Sequence, residues 1–443
     1  MMRYVLTLIL ACSFQFSLAQ GRYVIQNKKG SDKIHFKLVN NLIVIPIKVN
    51  GVELSFLLDT GVSKPIIFNF LNLTDSLQIE KTSTIFLRGL GEGQAVESIK
   101  SEGNVVQLGD AINVNQDLYI IYDSALNFTP RLGFPLHGII GFDLFKDLIV
   151  EINYSSRFIR ITDPKIFRYR HCKSCVSLEM ELHKNKPYVD VAVVLMEEEI
   201  PVKLLVDTGG SDALWLFENK RIVNNQSYFN DFLGHGLSGS VHGKRSKLKK
   251  FILKEFELKN TNVSFPDTSD IAYIKKIKGR DGSLAGNILK RFNLVVDYPN
   301  SKISFKKNRH FKDPFSYNNS GIELEHDGVR LITEEKAYYE MQQVNREDNN
   351  MPSTKIVLNP SYKLALKPAF SIVEIRPGSA AERAGLELGD VVLSVNGRPC
   401  EKYTLQEVML KFYEEVGKEI ELEVDRNGDV LEFKFELESP FKK

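Results

Sequence analysis

Apolar and polar positions follow the same order twice along this chain, and in both copies the pattern predicts paired β-strands. The first copy has apolar runs at residues 39–49 and 52–58, joined by Asn50-Gly51, a dipeptide typical of a tight hairpin turn. The second copy has corresponding runs at residues 187–195 and 202–206. Each returning run ends in the tripeptide Asp-Thr-Gly. We therefore expect one aspartate at the end of a buried strand in each copy.

The segments that follow each tripeptide also recur. Both copies contain a glycine-rich stretch with the composition of a flexible hairpin tip. The glycines concerned are Gly89, Gly91 and Gly93 in the first copy and Gly234, Gly236 and Gly239 in the second. An apolar run that stops at a glycine and leads into a short helix comes next, at Ile139-Ile140-Gly141 and again at Leu284-Ala285-Gly286. Such a repeat predicts a duplicated, mainly β lobe, with copies at residues 20–165 and 166–311.

Residues 312–443 have a different pattern, which predicts a small α+β domain. A strand at residues 368–375 leads through a turn into a short helix, and a second strand at residues 391–395 ends at Asn396-Gly397. Residues 405–416 place apolar side chains on one face of a helix, and two strands around Asn427-Gly428 complete the chain.

The first 19 residues have the composition of a secretory signal peptide. A short basic start is followed by an apolar run from residue 4 to residue 18 and then by Ala19, a small residue suited to cleavage. We therefore expect an exported protein, periplasmic or secreted. The stretch before Cys12 resembles a lipoprotein cleavage box, but the apolar run continues beyond it, which makes lipid anchoring the less favoured alternative. No later stretch reaches the ~18 apolar residues that a membrane-spanning helix needs, so no transmembrane segment is expected.

Composition and charge narrow the possible functions. The 443 residues include 43% hydrophobic residues, enough for sizeable cores, and the net charge of +2 favours no nucleic-acid partner. The histidines show no metal-binding spacing, so neither a metal nor a cofactor is expected. Cys172 and Cys175 alone cannot complete a zinc site, and we expect either a local disulfide or two free thiols there, with Cys400 unpaired.

The paired tripeptides supply the strongest chemical signal in the sequence. One Asp-Thr-Gly is weak, because aspartate and glycine are common turn residues, but two copies at matching places in a repeat predict a pair of facing carboxylates. Two carboxyl groups about 3 Å apart share one proton, so the ionised member can activate water while the protonated member donates to the carbonyl oxygen of an amide. We expect Asp59 and Asp207 to be catalytic. The expected supporting residues are Thr60, Gly61, Ser63, Thr208, Gly209 and Ser211.

These residues resemble the aspartic proteases, in particular the short lobes of the retroviral (retropepsin-like) type fused in tandem. The resemblance rests on the two tripeptides with Ser63 and Ser211 and on the apolar-apolar-Gly elements at Gly141 and Gly286. It implies a mainly β fold in which two tandem retropepsin-like lobes form a pepsin-like bilobal unit, active as a monomer because one chain supplies both aspartates. It also implies that the glycine-rich tips act as flaps over an extended polypeptide substrate. The sequence departs from the family at Val62, where a small residue is usual, and neither tip has the tyrosine of the pepsin flap.

The C-terminal part resembles a PDZ domain of the bacterial envelope-protease kind. The similarity is carried by residues 375–381, residues 384–386, Gly389-Asp390 and residues 395–397. It implies that a peptide ligand, C-terminal or internal, adds as a strand beside an edge strand of the domain. The groove residues implied are Ala369, Phe370 and Ile372, although Pro368 removes one donor from the loop that would hold a terminal carboxylate. A purely structural or inhibitory PDZ domain is the alternative.

The function expected from the sequence is that of an exported aspartic-type endopeptidase, which hydrolyses extended polypeptides. A non-catalytic peptide-binding protein that uses the cleft and the PDZ domain is the alternative from another class. A third interpretation is a processing protease that stays latent until a ligand binds to the PDZ domain. Cleavage of a generic unfolded substrate would argue against that latency.

Overall fold

The computed structural model describes residues 21–68, 77–91, 93–122, 126–271, 279–345 and 352–441, and the side chains of residues 335–361 lie outside this description. The predicted signal peptide, residues 1–19, also lies outside the described residues. The chain divides into two compact units. The first ends at Tyr317 and also contains Ser439 and the residues after it, and the second spans Asn318–Glu438.

The first unit is built almost entirely of β-strands, which fall into two series. The strands of its first half are β1 (Val24–Ile25), β2 (Ser31–His35), β3 (Lys37–Val39), β4 (Leu42–Val49), β5 (Val52–Leu58), β6 (Ile66–Ile67), β7 (Thr82–Leu87), β8 (Val96–Leu108), β9 (Ala111–Ile120), β10 (Gly138–Ile140), β11 (Ile149–Asn153) and β12 (Phe158–Thr162). The strands of its second half are β13 (Cys175–Glu179), β14 (Glu181–His183), β15 (Lys186–Leu195), β16 (Glu198–Asp207), β17 (Leu214–Leu216), β18 (Phe229–Gly236), β19 (Gly239–Leu253), β20 (Phe256–Pro266), β21 (Gly282–Ala285), β22 (Phe292–Asp297) and β23 (Lys302–Lys307). Its described helices are single turns, at Thr129–Leu132, Phe142–Phe145 and Gly286–Leu289.

The two halves contain sheets of the same topology. In the first half, strands close a ring in the order β9, β6, β10, β5, β4 and β8, because β8 also pairs with β9. In the second half the ring runs β20, β17, β21, β16, β15 and β19, with β19 paired to β20. In both rings the strand that leads to the Asp-Thr-Gly lies parallel to a short strand from later in the chain, β10 beside β5 and β21 beside β16. The repeat in the sequence is therefore also a repeat of topology.

Turn chemistry explains how each ring begins. β4 and β5 form the predicted hairpin, with Val49 opposite Val52. The turn residues Asn50 and Gly51 have φ angles of 47° and 89°, the left-handed values that a tight two-residue hairpin turn requires. In the second half β15 and β16 pair in the same way, with Leu195 opposite Glu198. The returning strand of each hairpin lies between two other strands of its ring, β5 between β10 and β4 and β16 between β21 and β15, and the aspartate is at its end.

A third sheet joins the two halves of the first unit. Its order is β13, β23, β22, β11, β12 and β2, so each half contributes three strands. β11 and β22 pair at its middle, with Val150 opposite Val296. One continuous core runs through both halves and includes the fully buried Phe56, Phe145 and Phe292. Shared strands and a shared core fix the position of one half relative to the other.

The second unit has its own sheet and its own core. Its strands are β24 (Ile322–Asn345), β25 (Pro352–Ile375), β26 (Val391–Val395), β27 (Arg398–Pro399), β28 (Glu419–Arg426) and β29 (Asp429–Glu436), with helices at Ala380–Ala384 and Leu405–Lys411 and a 3-10 turn at Cys400–Lys402. The sheet order is β24, β25, β26, β28 and β29. Phe370, Val392 and Phe412 belong to its buried core. The second helix begins with a capping box, in which the Thr404 side chain accepts from the Glu407 backbone N–H.

The described residues are mainly β, as the sequence predicted. The strand predicted at residues 368–375 is only the last part of β25, and its long partner β24 was not predicted. None of the described helices has the length and apolar content needed to cross a membrane.

Candidate active site

The two aspartates occupy equivalent places in the two rings. Asp59 follows the last residue of β5, and its backbone N–H donates to the carbonyl oxygen of Ile140 on β10, at 2.8 Å. Asp207 is the last residue of β16 and lies opposite Ala285 of the parallel strand β21. Because neighbouring parallel strands are held in register by their backbone, each aspartate sits on a rigid support rather than on a loop.

Thr60 and Thr208 bind the two halves to each other directly beneath the aspartates. The Thr60 backbone N–H donates to the Thr208 hydroxyl at 3.0 Å, and the Thr208 backbone N–H donates to the Thr60 hydroxyl at 3.1 Å. Each hydroxyl in turn donates to a carbonyl of the other half, Thr60 to Val206 at 2.6 Å and Thr208 to Leu58 at 2.7 Å. Both threonines are fully buried. This reciprocal network explains why threonine, rather than another turn residue, follows each aspartate.

Gly61 and Gly209 hold the carboxylates through their backbone. The Gly61 N–H donates to Asp59 Oδ1 at 2.6 Å, and the Gly209 N–H donates to Asp207 Oδ1 at 3.1 Å. A Cβ atom added to Gly209 would lie 2.3 Å from Asp59 Cγ, and one added to Gly61 would lie 3.1 Å from Asp207 Oδ1. The carboxyl group of each half therefore lies against the glycine of the other half, which brings the two aspartates face to face.

The electrostatics of the pair keep one proton on it up to about neutral pH. Burial and the negative charge of Asp207 raise the pKa of Asp59 to about 7. The Gly61 N–H and the positive charge of Lys186 act in the opposite direction and limit that rise. A carboxylic acid and a carboxylate can therefore coexist at this site under conditions in which an exposed aspartate pair would be fully ionised.

Two cations that the sequence analysis did not select lie beside the aspartates. Burial lowers the pKa of Lys186, and the nearby charge of Arg280 lowers it further, whereas Asp59 and Asp207 raise it. Burial also lowers the pKa of Arg280, against the opposing effects of Tyr188 and Asp207. Lys186 begins β15, and Arg280 lies two residues before β21. Aligning the two repeats by strand register, rather than by their motifs, would have found both residues.

The two glycine-rich tips meet each other. The tip between β7 and β8 and the tip between β18 and β19 are joined by hydrogen bonds, from Gly93 N–H to the Ser238 carbonyl and from Ser238 N–H to the Leu90 carbonyl, both at 2.7 Å. The Gly89 N–H also donates to the Ser238 hydroxyl, at 3.2 Å. A Cβ atom on Gly91 would lie 2.5 Å from the Ser238 backbone, and one on Gly236 would lie 2.3 Å from the Leu90 carbonyl oxygen. Glycine at these two positions permits this close approach.

Each tip also packs against the opposite half. Leu237 of the second tip contacts an apolar cluster of the first half that includes Val62, the residue after Gly61. Leu90 of the first tip packs against the cluster of Phe217 and Ile271, which belong to the second half. Of the remaining predicted tip glycines, Gly234 and Gly239 have nothing within 4 Å of an added Cβ, but their φ angles of 142° and 116° disfavour other residues.

Ser63 and Ser211 contribute to contacts between the halves rather than to the carboxylates. The Ser63 hydroxyl donates to the carbonyl of Lys184, just before β15, at 3.0 Å. The Ser211 carbonyl accepts from the side chain of Asn41, just before β4, at 2.7 Å. The loop after each aspartate thus reaches the start of the first strand of the other ring, and this explains how Lys186 comes close to Asp59.

One detail of the predicted repeat is wrong by a single residue. The sequence matched Gly141 with Gly286, but the Phe142 N–H donates to the Val62 carbonyl while the Gly286 N–H donates to the Gly210 carbonyl. The single-turn helices also begin at Phe142 and Gly286. Gly141 is therefore equivalent to Ala285. In the second copy the glycine, Gly286, lies one position later and is the first residue of the helix.

A half-buried arginine joins the hairpin of the second tip to the loop after Asp207. Arg245, on β19, forms salt bridges of 2.8 Å with Asp212 and with Asp231, and its guanidinium also donates to the Phe232 carbonyl. Asp212 in turn accepts from the Trp215 indole N–H at 2.7 Å. Sequence reasoning missed this network, because its members are far apart in the chain and none belongs to a motif.

The remaining chemistry-bearing residues lie elsewhere. Cys172 and Cys175 form a disulfide, and Cys400 is a buried free thiol in the second unit. The sequence left open whether Cys172 and Cys175 form a disulfide or remain free thiols, and the structure contains the disulfide. Within the described part of the chain, no three His, Cys, Asp or Glu side chains come together in a way that could hold a metal ion.

The second unit presents a different edge strand from the one the sequence indicated. Ala369, Phe370 and Ile372 are buried. They lie on β25, which pairs with β24 on one side and β26 on the other. The terminal strand on this side of the sheet is β24, and the helix Leu405–Lys411 packs against it. A peptide that added to the sheet on this side would therefore lie beside β24. The predicted residues would support that strand from within the core.

Comparison with known families identifies one part of the chain. The sequence model of the PDZ domain matches residues 371–426. These residues form a PDZ domain. The PDZ prediction is confirmed for this stretch, and the domain implies binding of a peptide ligand. No curated protein matches the chain.

Proposed function

We propose that this protein is an aspartic-type endopeptidase of the retropepsin-like kind, with its catalytic pair formed by Asp59 and Asp207. The observation that carries the proposal is the pairing itself. Two carboxyl groups on equivalent strands of two rings face each other, each held by a glycine N–H, above a reciprocal threonine network. A structural role alone gives no reason to hold two acidic groups against each other in a partly buried place, because their mutual repulsion costs stability.

The proposed reaction needs only the pair and a water molecule. Asp59 holds the proton, in line with its pKa of about 7, and Asp207 carries the negative charge. The Asp207 carboxylate takes a proton from water as the water oxygen attacks the carbonyl carbon of the scissile amide, and Asp59 donates its proton to the carbonyl oxygen. A tetrahedral gem-diol forms without a covalent enzyme intermediate. Asp207 then returns its proton to the amide nitrogen, the C–N bond breaks, and Asp59 recovers a proton from a gem-diol hydroxyl.

The substrate proposed is an extended polypeptide held under the two tips. Hairpin tips that bind one another through backbone hydrogen bonds can part and close again, since these bonds are few and a substrate backbone offers the same donors and acceptors. Closure of both tips would exclude bulk water from the aspartates and position the scissile bond.

The PDZ domain and the export expectation complete the proposal. A PDZ domain in the same chain would recruit or sense polypeptides through the edge strand β24. The disulfide between Cys172 and Cys175 favours an oxidising compartment, which agrees with a periplasmic or secreted protein. The first unit contains both aspartates, so we propose that a single chain is active.

The proposal is tested with a diverse pool of unfolded peptides between pH 4 and 8. The chain lacking residues 1–19 is compared with its Asp207→Asn variant, and cut sites are identified by mass spectrometry. Cuts made by the unaltered chain and absent with the variant support the proposal. If neither protein cuts while both bind peptides, the non-catalytic peptide-binding alternative is correct; if cutting begins only when a PDZ ligand is added, the protease is latent.

A further inference from the structure

Strand register gives a residue-by-residue alignment of the two halves around the aspartates. Leu57 and Leu205 each lie two residues before an aspartate, so their side chains share its face of the sheet. Val44 lies opposite Leu57 in the first ring, and Tyr188 lies opposite Leu205 in the second. On the parallel neighbours, Ile139 pairs with Leu57 and Ser283 with Leu205. These rows are equivalent by register and lie on the same face of each ring as its aspartate. We refer to them as the walls beside the carboxyl pair.

The wall of the first half is apolar. Side chains two residues apart on a strand share a face. Leu42 lies two residues before Val44 on β4, and Leu136 lies two residues before Gly138, the first residue of β10. Leu42, Leu136, Val44 and Leu57 pack in one buried cluster. Each of these side chains is at most 8% exposed, so the wall presents a narrow apolar surface that favours an apolar neighbour over a charged one.

The wall of the second half is cationic at the matching positions. Lys186 lies two residues before Tyr188 and is therefore equivalent to Leu42. Arg280 lies two residues before Gly282 and is therefore equivalent to Leu136. Arg280 donates to the Gly282 carbonyl at 3.1 Å and to the Ser283 hydroxyl at 2.7 Å, and its guanidinium lies 5.3 Å from the ring centroid of Phe217. Leu90 of the first tip packs against the cluster that contains Phe217, so this wall extends towards that tip.

These two positive charges have no anionic partner of their own. Among the residues that the structure describes, no carboxylate forms a salt bridge with Lys186 or Arg280, and both side chains remain partly open to solvent. The aspartate pair acts on Lys186 through space, as Asp207 does on Arg280, and the Tyr188 side chain is a hydrogen-bond partner of Arg280. Two neighbouring cations that are partly withdrawn from water are costly unless a ligand supplies negative charge. The cost is explained if the substrate brings that charge.

We propose that the cleft selects a substrate with a carboxylate on one side of the scissile bond, held by Lys186 and Arg280, and an apolar side chain on the other, held by the Leu42 and Leu136 wall. This inference rests on the proposed endopeptidase function. The carboxylate is that of an internal Asp or Glu residue or that of a free C-terminus, since both present the same group to a lysine and an arginine. The duplicated fold would thus have become asymmetric in specificity while it kept symmetric catalytic groups.

The test uses the full mature chain and the cut sites that it makes in a random peptide pool. We expect Asp or Glu to be enriched at one of the two positions flanking the cut and apolar residues at the other. Matched peptides that differ only in Glu or Gln at the enriched position should differ about ten- to a hundredfold in kcat/KM, the range for a hydrogen bond to a charged group. Versions with a free or an amidated C-terminus separate the two sources of the carboxylate.

The variants assign this preference to its residues. Lys186→Gln and Arg280→Gln should each reduce the Glu-over-Gln preference while the Gln peptide is still cleaved, and Lys186→Glu should reverse it in favour of a Lys peptide. Lys48→Gln, which removes an exposed lysine on β4, is the matched control and should change neither rate. Cleavage without any acidic preference, or a preference that survives Lys186→Gln and Arg280→Gln together, overturns the inference and leaves the proposed function intact. Absence of all cleavage by the unaltered chain overturns both.

Discussion

At the scale of single residues, the protonation of Asp59 is the property on which the proposed chemistry depends. Its pKa of about 7 results from burial and from the adjacent charge of Asp207, and the positive charge of Lys186 works against that rise. The protonated form is the one that donates to a substrate carbonyl. The positive charge of Lys186 therefore affects the pH range in which the proposed reaction can proceed.

The first prediction concerns the pH profile of cleavage. The rate should be lost as the pH rises through about 7, because Asp59 then loses the proton that the reaction needs. Lys186→Gln removes a charge that stabilises ionised Asp59, so the alkaline limb should move to higher pH. The measurement is kcat/KM for an uncharged peptide between pH 5 and 9. A limb that moves to lower pH in the variant would contradict this account.

The second prediction concerns stability. Because the pKa of Asp59 is raised from 3.8 to about 7, the folded chain binds a proton that the unfolded chain releases between these values. Stability should therefore fall as the pH rises from about 4 to 7, by at most about 4 kcal/mol at about 1.4 kcal/mol per pKa unit. Asp59→Asn should flatten this dependence and be the more stable protein at pH 8. Urea denaturation of the two proteins at pH 5 and pH 8 measures their stabilities. If stability depends on pH as steeply in the variant, groups other than Asp59 cause the dependence.

At the scale of structural elements, the two rings are joined where their central strands end. The threonine network ties β5 and β16 together beneath the aspartates, and the two hairpin tips meet through Ser238. The network is buried and holds the pair rigidly, whereas the tips meet through a few hydrogen bonds and through the apolar packing of Leu90 and Leu237. Rigid support on one side and a separable cover on the other is what hydrolysis of a long chain requires.

The third prediction tests the threonine network. Thr60→Val leaves the Val206 carbonyl and the Thr208 N–H without their partner, and each buried group so orphaned should cost about 1–3 kcal/mol of stability. Thr60→Ser keeps the hydroxyl and should cost much less. Urea denaturation of the two variants gives the comparison. Equal losses in both would mean that the methyl group, rather than the hydrogen bonds, supplies the stability.

The fourth prediction tests the contact between the tips. Gly91→Ala places a Cβ 2.5 Å from the Ser238 backbone, so the tips can no longer approach, whereas Gly234→Ala meets nothing within 4 Å. Both glycines have positive φ, and the second variant therefore controls for local backbone strain. Gly91→Ala should lower kcat/KM for a long peptide about tenfold or more relative to Gly234→Ala, because the scissile bond is less well positioned. Similar rates for the two would show that closure of the tips is unimportant.

At the scale of the whole molecule, each of the two units has its own core, and the aspartate pair lies entirely in the first. The last residues of the chain return to that unit, where Phe441 packs 5.2 Å from Phe229 and 5.9 Å from Tyr317, measured between ring centroids. A chain that ended before the PDZ domain would lose this contact. A short linker from Tyr317 to Ser439 would preserve it.

The fifth prediction follows from this arrangement. The chain with residues 318–438 replaced by a short Gly-Ser linker should fold and cleave short unfolded peptides within about threefold of the full chain, because a unit with its own core can fold alone. Circular dichroism first establishes folding, and peptide cleavage then gives the rate. A folded but inactive product would assign an activating role to the PDZ domain, and a much faster one would favour the latent-protease alternative.

Some features of this protein could be predicted from short stretches of sequence, whereas others depend on which residues lie opposite one another in the sheets. The hairpin at Asn50-Gly51, the repeat and the catalytic candidates follow from short-range chemistry, and the structure contains all of them in one unit. The role of Lys186 depends on which residues stand opposite one another across several strands, and no single stretch contains that information. For the same reason the edge strand of the PDZ domain was misplaced. β24 is mostly polar and lies far from the motif that identifies the domain.

The most direct test of the central claim is the effect of each aspartate on one good peptide substrate. We compare Asp59→Asn, Asp207→Asn and the double variant with the unaltered chain, after circular dichroism has shown that all are folded. Each single variant should lower kcat/KM by at least about a thousandfold, and the double variant should be no worse than either, because residues that act as one unit are not additive. Retention of activity within about tenfold in either single variant would contradict the account.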